Sequence, residues 1–585
     1  MSSSHSARLA SLRAVLEAEG LDVCIVRSTD RYLNEYVPRA ESAREWLTAF
    51  CGSLGDAMVG RDRAWLYVDG RYHTQADREV DLGQWTVVKG TQSYTNEAAC
   101  AETVRGLALA LPEGATLRVG YEPQRYSVSA WEAFRREVGE APVTWVAADT
   151  AWVDRVRPPP APEVVGDGVL RAVEEAGQGR TVAEKHALVT EWLRAQRAEA
   201  LVVTRLDEVA WMTNLRAQEM PFQATFRGAA VVTREGVGVS VHGLVVPEVV
   251  RVARPGVAFV DDRALLAMAL GPRPGPTRRV VIDPAGTPVA TRDALEAAGV
   301  TVVRLDSPIV KAKARKTPAE MAAMRSALGR ADRVVAEAQG WLQARVAAGD
   351  RVTEKGFADE VERRFLAAGA THLSFKVIAA FGEHGAIVHH LPCPETVARP
   401  GDLVLLDTGC YFDEGFATDL TRTFFVGQAG QAPSQAQREL YTLVLKAAVA
   451  GMRARFPVGS SGAQLDGITR SPLWEAGQEY LHGTGHGVGI NVHESPPGIN
   501  KRATMALEEG HVFSIEPGLY HEGLGGVRIE NLCTVVPDPE HEGFLQVTPL
   551  TFAPLAPDLI DSKMLTEAER RFVSEYQARM GVEGA

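Results

Sequence analysis

Cysteine is scarce in this sequence: six among 585 residues, at 24, 51, 100, 393, 410 and 533, with no CxxC pair. That scarcity excludes a disulfide framework and fits a reducing compartment. Cys24 lies within Val23-Cys24-Ile25-Val26, where a free thiol serves as a small buried hydrophobe. Long apolar runs are also missing. None approaches the roughly 20 residues that a membrane span needs, and the opening MSSSHSARLASLRAVLEAEG alternates polar with apolar residues instead of forming a signal peptide's apolar stretch. The expectation is a cytoplasmic protein with no membrane association. Positive charge is short as well. A formal net charge of -12 speaks against nucleic acid as a partner, because neutralising phosphates requires a basic surface, and it suits acidic substrates poorly.

What is present is ordinary for a globular chain, 45% hydrophobic and 23% charged. Its length exceeds what one hydrophobic core usually organises, so several domains are expected. Two breaks stand out. Arg157-Pro158-Pro159-Pro160-Ala161-Pro162 is neither helix nor central strand, since proline lacks the N–H and fixes φ. Ser307-Pro308, followed by the basic run Lys311-Ala312-Lys313-Ala314-Arg315-Lys316, reads as a second linker. Thr317-Pro318-Ala319-Glu320 then reads as a helix start, with Thr317 as N-cap, Pro318 at the first position and Glu320 closing a capping box. The breaks place domains at 1–157, 158–316 and 317–585. The first two resemble diverged copies of one α/β unit. A helical pattern (Leu9, Leu12, Val15, Leu16) runs into Val23–Val26, and a second (Leu188, Trp192, Leu193) runs into Leu201-Val202-Val203.

Beyond residue 400 the pattern becomes strand-like, with acids set inside apolar stretches. Asp407 ends Asp402-Leu403-Val404-Leu405-Leu406-Asp407, and Asp419 opens Asp419-Leu420-Thr421-Arg422-Thr423. Glu516 follows Val512-Phe513-Ser514-Ile515, and Glu530 follows Val527-Arg528-Ile529. A lone buried carboxylate costs several kcal/mol unless it is paired or bound to metal. Between the two pairs runs His482-Gly483-Thr484-Gly485-His486-Gly487-Val488-Gly489, whose glycines allow the backbone to approach a ligand closely. Four carboxylates with a histidine suit a pair of divalent ions, and the hard oxygen donors favour Mn²⁺. The structural alternative pairs each acid with an arginine, Arg422 and Arg528 being near. It suits any one acid but not all four with the glycine loop. The loop fits neither GxGxxG nor HExxH.

Asp407-Thr408-Gly409, Thr418-Asp419-Leu420-Thr421-Arg422-Thr423, the His482–Gly489 loop, Asn491-Val492-His493-Glu494, Glu516-Pro517-Gly518 and Arg528-Ile529-Glu530-Asn531 occur in this order. Together they resemble the metallopeptidase family of aminopeptidase P, prolidase and methionine aminopeptidase. Asp69-Gly70-Arg71-Tyr72, Leu206-Asp207-Glu208-Val209-Ala210-Trp211 and Gly385-Ala386-Ile387-Val388-His389 extend the likeness to the three-domain Xaa-Pro aminopeptidases. In Ser28-Thr29-Asp30-Arg31-Tyr32, Tyr32 stands where those relatives commonly carry histidine.

The resemblance implies an α/β protein with two creatinase-like N-terminal domains before a pita-bread catalytic domain. It implies Asp407, Asp419, His486, Glu516 and Glu530 as metal ligands, with Asp419 and Glu530 bridging. His389 and His493 become catalytic and substrate-binding histidines, Glu516 a proton shuttle, and Arg71 a substrate contact. The cofactor expected is two divalent ions, Mn²⁺ first with Zn²⁺ or Co²⁺ as substitutes. The partners expected are peptides with proline second and another copy of the chain in a homodimer. A prolidase-like dipeptidase and a non-catalytic binding relative are the alternatives. His384, His390 and His482 are expected to be structural, with His482 the first candidate for an exception.

Overall fold

In the computed structural model, which describes residues 2–91, 94–148, 150–159, 168–272 and 275–579, the chain divides into two compact units. One comprises Met1–Ala172, Val182–Pro221 and Thr225–Ile309; the other comprises Val173–Thr181, Phe222–Ala224 and Val310–Ala585. Of the proline-rich break, Pro160, Ala161 and Pro162 lie outside the described residues.

The first unit contains the expected duplication. Val23–Val26, buried along its whole length, sits in a six-stranded sheet ordered Thr86–Lys89, Ala64–Val68, Asp56–Gly60, Val23–Val26, Leu117–Tyr121, Val143–Ala147. Ala200–Val203 occupies the same place in a second sheet, ordered Val257–Phe259, Val237–Val241, Gly228–Thr233, Ala200–Val203, Arg279–Ile282, Thr301–Arg304. The strand senses agree pair for pair. In both sheets the central strand runs antiparallel to its neighbour on the hairpin side and parallel to the other. Both hairpins are antiparallel, and both outer strands on each side are parallel. The helix before each central strand is present, Ser2–Ala18 and Val182–Ala195, with Leu12, Leu16, Val189 and Leu193 buried.

The second unit begins its long helix as the sequence predicts. Thr317 Oγ1 accepts from the Glu320 N–H (3.2 Å), Glu320 Oε2 accepts from the Thr317 N–H (2.8 Å), and Pro318 holds the first helical position of Pro318–Ala347. This helix and Glu354–Ala367 cover a core in which Val334, Val335, Leu342, Phe357 and Val361 meet the strands. A three-stranded antiparallel sheet carries Ile378–Phe381, Leu403–Thr408 and Leu420–Phe425. A six-stranded sheet is ordered Arg455–Pro457, Phe544–Pro549, Asn531–Pro537, Val512–Ile515, Gly485–Gly487, Glu494–Ile499. None of the six cysteines forms a disulfide.

The basic run is not the exposed linker that its composition suggests. Pro308–Ala314 is helical, and Lys313 and Lys316 are buried. Their ammonium groups lie 2.6 and 3.8 Å from Glu494 Oε2, a carboxylate 1% exposed. Burying two lysine stems needs a counter-charge, and the residue after His493 supplies it. Lys313→Met should therefore destabilise the second unit by about 3 kcal/mol, the scale for stranding one partner of a buried pair. A lowered urea midpoint is the expected result, and an unchanged midpoint would show the pair to be unimportant.

Candidate metal centre

The four acids sit at strand ends that converge. Asp407 is the penultimate residue of Leu403–Thr408 and faces Ile378 on one side and Thr421 on the other. Asp419 immediately precedes Leu420–Phe425, Glu516 follows Val512–Ile515, and Glu530 stands between Gly525–Arg528 and Asn531–Pro537. Two backbone bonds bring these ends together: Glu530 N–H to Thr421 O (3.1 Å) and Glu516 N–H to Thr484 O (2.8 Å).

His486 reaches the acids from Gly485–Gly487, where the pairing register shifts between His486 and Gly487. The glycines beside it allow close strand packing. A Cβ at Gly485 would stand 1.8 Å from Ser514 O. Ligand atoms of Asp419, His486 and Glu530 all lie within 4.8 Å of one another. His486 Nε2 is 3.4 Å from Asp419 Oδ2 and 3.5 Å from Glu516 Oε1.

This collection is electrostatically unfavourable without a cation. Burial, with Glu530, Asp407 and Glu516 nearby, pushes Asp419 well above the usual carboxylate range. Burial, with Glu516 and Asp407, does the same to Glu530. Burial pushes Glu516 up to about 7, against the pull of Arg528. Asp407 Oδ1 is buried with no hydrogen-bond partner. The His486 Nδ1–H donates to Gly487 O (3.1 Å), so in the neutral ring the Nε2 lone pair faces carboxylate oxygens. Lone pairs aimed at one another mark a place for positive charge. Oxygen-rich donors with one imidazole fit hard divalent ions.

The arginine alternative holds for one acid only. Arg528 Nη2 pairs with Asp407 Oδ2 at 2.6 Å. Arg422 instead donates to the carbonyls of Ala553, Pro554, Thr421 and Glu530 and to the Tyr576 hydroxyl.

The structure also supplies partners that the motifs did not single out. Thr421 Oγ1 donates to Glu530 Oε2 (2.7 Å), and Ser514 Oγ donates to Glu516 Oε1 (3.2 Å). Tyr520 accepts from Arg528 Nη1 (2.9 Å) and lies 2.9 Å from His482 Nε2. His482 Nδ1 meets Gly483 O at 2.7 Å and must donate there, so in the neutral ring Nε2 accepts from Tyr520. His482 thus joins the Arg528–Asp407 network through Tyr520. Thr421 and Ser514 alternate with strand neighbours as any polar strand residue does, which left no signal. Tyr520 follows the Glu516-Pro517-Gly518 motif closely enough to have been noticed.

His493 lies beside His486, ring centroids 4.3 Å apart and nearly perpendicular. His389 is half-buried in a turn after Gly382–Ala386, and the carbonyl of the preceding Val388 accepts from Arg528 Nη1 at 3.4 Å. Arg71 belongs to the first unit. Its Nε and Nη2 meet Asp69 at 3.0 and 2.8 Å, Glu35 is 3.9 Å away, and its guanidinium lies over the Tyr72 ring. Tyr32 bonds His242 Nδ1 at 2.6 Å in that same unit.

Comparison with known proteins accords with this geometry. The family model for metallopeptidase family M24 matches residues 322–537, and two creatinase/prolidase N-terminal domain models match 8–158 and 161–320. The chain is 32% identical to a probable Xaa-Pro aminopeptidase P of Fusarium vanettenii, over 98% of this chain and 95% of that protein. It is 33% identical to one from Sordaria macrospora, over 97% and 94%. Among solved structures it resembles the X-prolyl aminopeptidase of Caenorhabditis elegans, described as a cytosolic enzyme with a di-nuclear active site. The TM-score is 0.89 and the identity 28%, covering 99% of this chain and 96% of that one. An Xaa-Pro dipeptidase from Bacillus anthracis matches at TM-score 0.53 and 25% identity, over 64% of this chain and 99% of its own. The fold is that of a pita-bread metallopeptidase preceded by two creatinase-type α/β domains. The chain belongs to metallopeptidase family M24, in its Xaa-Pro aminopeptidase P group.

The raised carboxylates give a signed prediction for the metal-stripped protein. Between the ordinary glutamate value of 4.5 and about 7, the native state keeps the Glu516 proton that the unfolded chain has lost. Stability should therefore fall as pH rises through that window, and divalent ions should reverse the fall. Thermal melts with and without Mn²⁺ check this, and a stripped protein equally stable across the window would contradict it.

Proposed function

We propose that the protein is a two-metal Xaa-Pro aminopeptidase that removes the residue preceding proline at a peptide N-terminus. The observation that carries this is the buried, mutually repelling set Asp407, Asp419, Glu516 and Glu530 around His486, in which Arg528 forms an ion pair with Asp407 and burial and mutual repulsion still hold Asp419 and Glu530 well above the usual carboxylate range. The choice of Xaa-Pro bonds is supported by relatives similar over nearly the whole chain. The three-part division at 157/158 and 316/317 is supported by the edges of the matching family models. A cytoplasmic location and a homodimer complete the proposal, the first supported by the cytosolic neighbour.

Asp407, Asp419, His486, Glu516 and Glu530 would hold the ions, with Mn²⁺ the preferred species. Two bound divalent ions supply a water of lowered pKa and polarise the scissile carbonyl. Glu516 would take a proton from the attacking water and deliver it to the departing proline nitrogen. His389 and His493 donate hydrogen bonds to the carbonyl oxygen as charge gathers on it. Arg528 fixes Asp407 and Tyr520, and through Tyr520 it fixes His482. Arg71, whose guanidinium makes two hydrogen bonds to Asp69, is the proposed substrate contact.

Digestion of a peptide panel with and without Mn²⁺ tests the reading. Xaa-Pro-Xaa tripeptides should lose their first residue only with metal, whereas cleavage confined to Xaa-Pro dipeptides would make the enzyme a dipeptidase. His389→Ala should lower kcat by about 10²–10³-fold with metal content retained, the scale for losing one oxyanion donor. Loss of metal in parallel would instead make His389 a ligand. Arg71→Ala should raise KM with kcat nearly unchanged, and an unchanged KM would return Arg71 to a purely structural pairing with Asp69.

A further inference from the structure

Outside the metal centre, the described residues of the second unit include another buried acid flanked by two imidazoles. Glu354 opens the helix Glu354–Ala367, and its side chain is 0% exposed. Each of its oxygens accepts twice. Oε1 takes the Phe381 N–H (2.8 Å) and His384 Nδ1 (2.9 Å), and Oε2 takes His390 Nε2 (2.7 Å) and the Cys393 N–H (2.9 Å). A carboxylate only accepts, so the protons must sit on Nδ1 of His384 and on Nε2 of His390. The two rings lie 4.5 Å apart, centroid to centroid. Burial works against the charge, but the bonds from His390, Phe381 and Cys393 hold Glu354 below the usual carboxylate range. All four donors belong to the strand end and loop from 381 to 393, and His389 lies on that loop between the two histidines.

The same loop is fixed from its other side. Val388 O accepts from Arg528 Nη1, whose Nη2 is bonded to Asp407. Gly385 meets Gly526 backbone to backbone, where a Cβ on Gly526 would stand 1.8 Å from Gly385 O. The His389 backbone is therefore gripped between a guanidinium attached to a metal-ligand candidate and a carboxylate at a helix N-terminus. A helix start favours negative charge, which makes Glu354 a fixed post and not a mobile acid. Its four acceptor sites are all used, so it has none to spare for substrate.

We propose that Glu354 is the positioning residue that sets the His389 imidazole for the reaction, acting through His384 and His390. This rests on the role given to His389 above. In Glu354→Gln the new amide NH₂ points its hydrogens at a pair of existing donors, so one side of the loop must let go. A displacement near 1 Å of a group that acts only in the transition state costs about 10²-fold in turnover. Binding of the peptide elsewhere is untouched.

The test uses full-length, metal-loaded enzyme and an Xaa-Pro-Xaa tripeptide. Glu354→Gln should lose about 10²-fold in kcat with KM little changed and both metals retained. In the double variant with His389→Ala, turnover should be no lower than for His389→Ala alone. His390→Gln, whose amide nitrogen can take the place of Nε2, should recover most of the turnover lost in His390→Phe, and this pair carries the test if Glu354→Gln does not fold. Additive losses on an impaired His389→Ala background would overturn the proposal while leaving the role of His389 intact. Normal turnover in His389→Ala would remove that role and this proposal with it. A third equivalent of metal in the wild type, absent from His384→Asn, would make the cluster a binding site and overturn the proposal as well.

Discussion

Four carboxylates share one buried volume in the second unit, and the surrounding architecture answers that concentration of negative charge. At close range and low dielectric, like charges repel strongly enough to hold protons on groups that would be ionised in water. Arg528 relieves Asp407, Thr421 and Ser514 offer hydroxyls to Glu530 and Glu516, and the remainder is left for divalent ions. The strand ends must converge for this to happen. That convergence is why Gly485 has no room for a side chain against Ser514.

Away from that centre, two further buried acids organise the loops that carry its histidines. Glu494, adjacent to His493, is neutralised by Lys313 and Lys316, and Glu354 gathers the loop bearing His389. In both places a buried carboxylate fixes a segment of irregular backbone, Glu354 through four hydrogen bonds and Glu494 through its two lysines. A reaction that depends on orienting donors toward a developing charge needs such rigidity. The imidazoles are mounted on loops, and the precision comes from what the loops are tied to.

Much of this was legible in the sequence because the informative residues broke a local rule. Asp407, Asp419, Glu516 and Glu530 stand out since acids at the ends of apolar strands demand an explanation. Thr317 and Glu320 satisfy a capping pattern set entirely by residues four apart or less, and the structure keeps it. The duplication was visible as a helix leading into an apolar strand, and the identical order and sense of both six-stranded sheets bear it out. What escaped was long-range pairing. Nothing near Lys313 announces a carboxylate at 494, so a basic run that looks like a solvated linker is partly buried. Glu354 looks like an ordinary acid at the start of an amphipathic helix, because its partners lie some thirty residues ahead. Arg528 and Arg422 each stand within three residues of a motif acid, yet one pairs with an acid and the other with carbonyls. Only the fold decides between them.

The central claim is that the buried acids and His486 exist to hold two ions. Anomalous diffraction from crystals of the Mn²⁺-loaded protein, collected on either side of the manganese edge, tests it most directly. The account predicts two peaks about 3.5–4 Å apart, bounded by Asp407, Asp419, His486, Glu516 and Glu530. A single peak, or peaks at Glu354, His384 and His390 with none among the five, would contradict it.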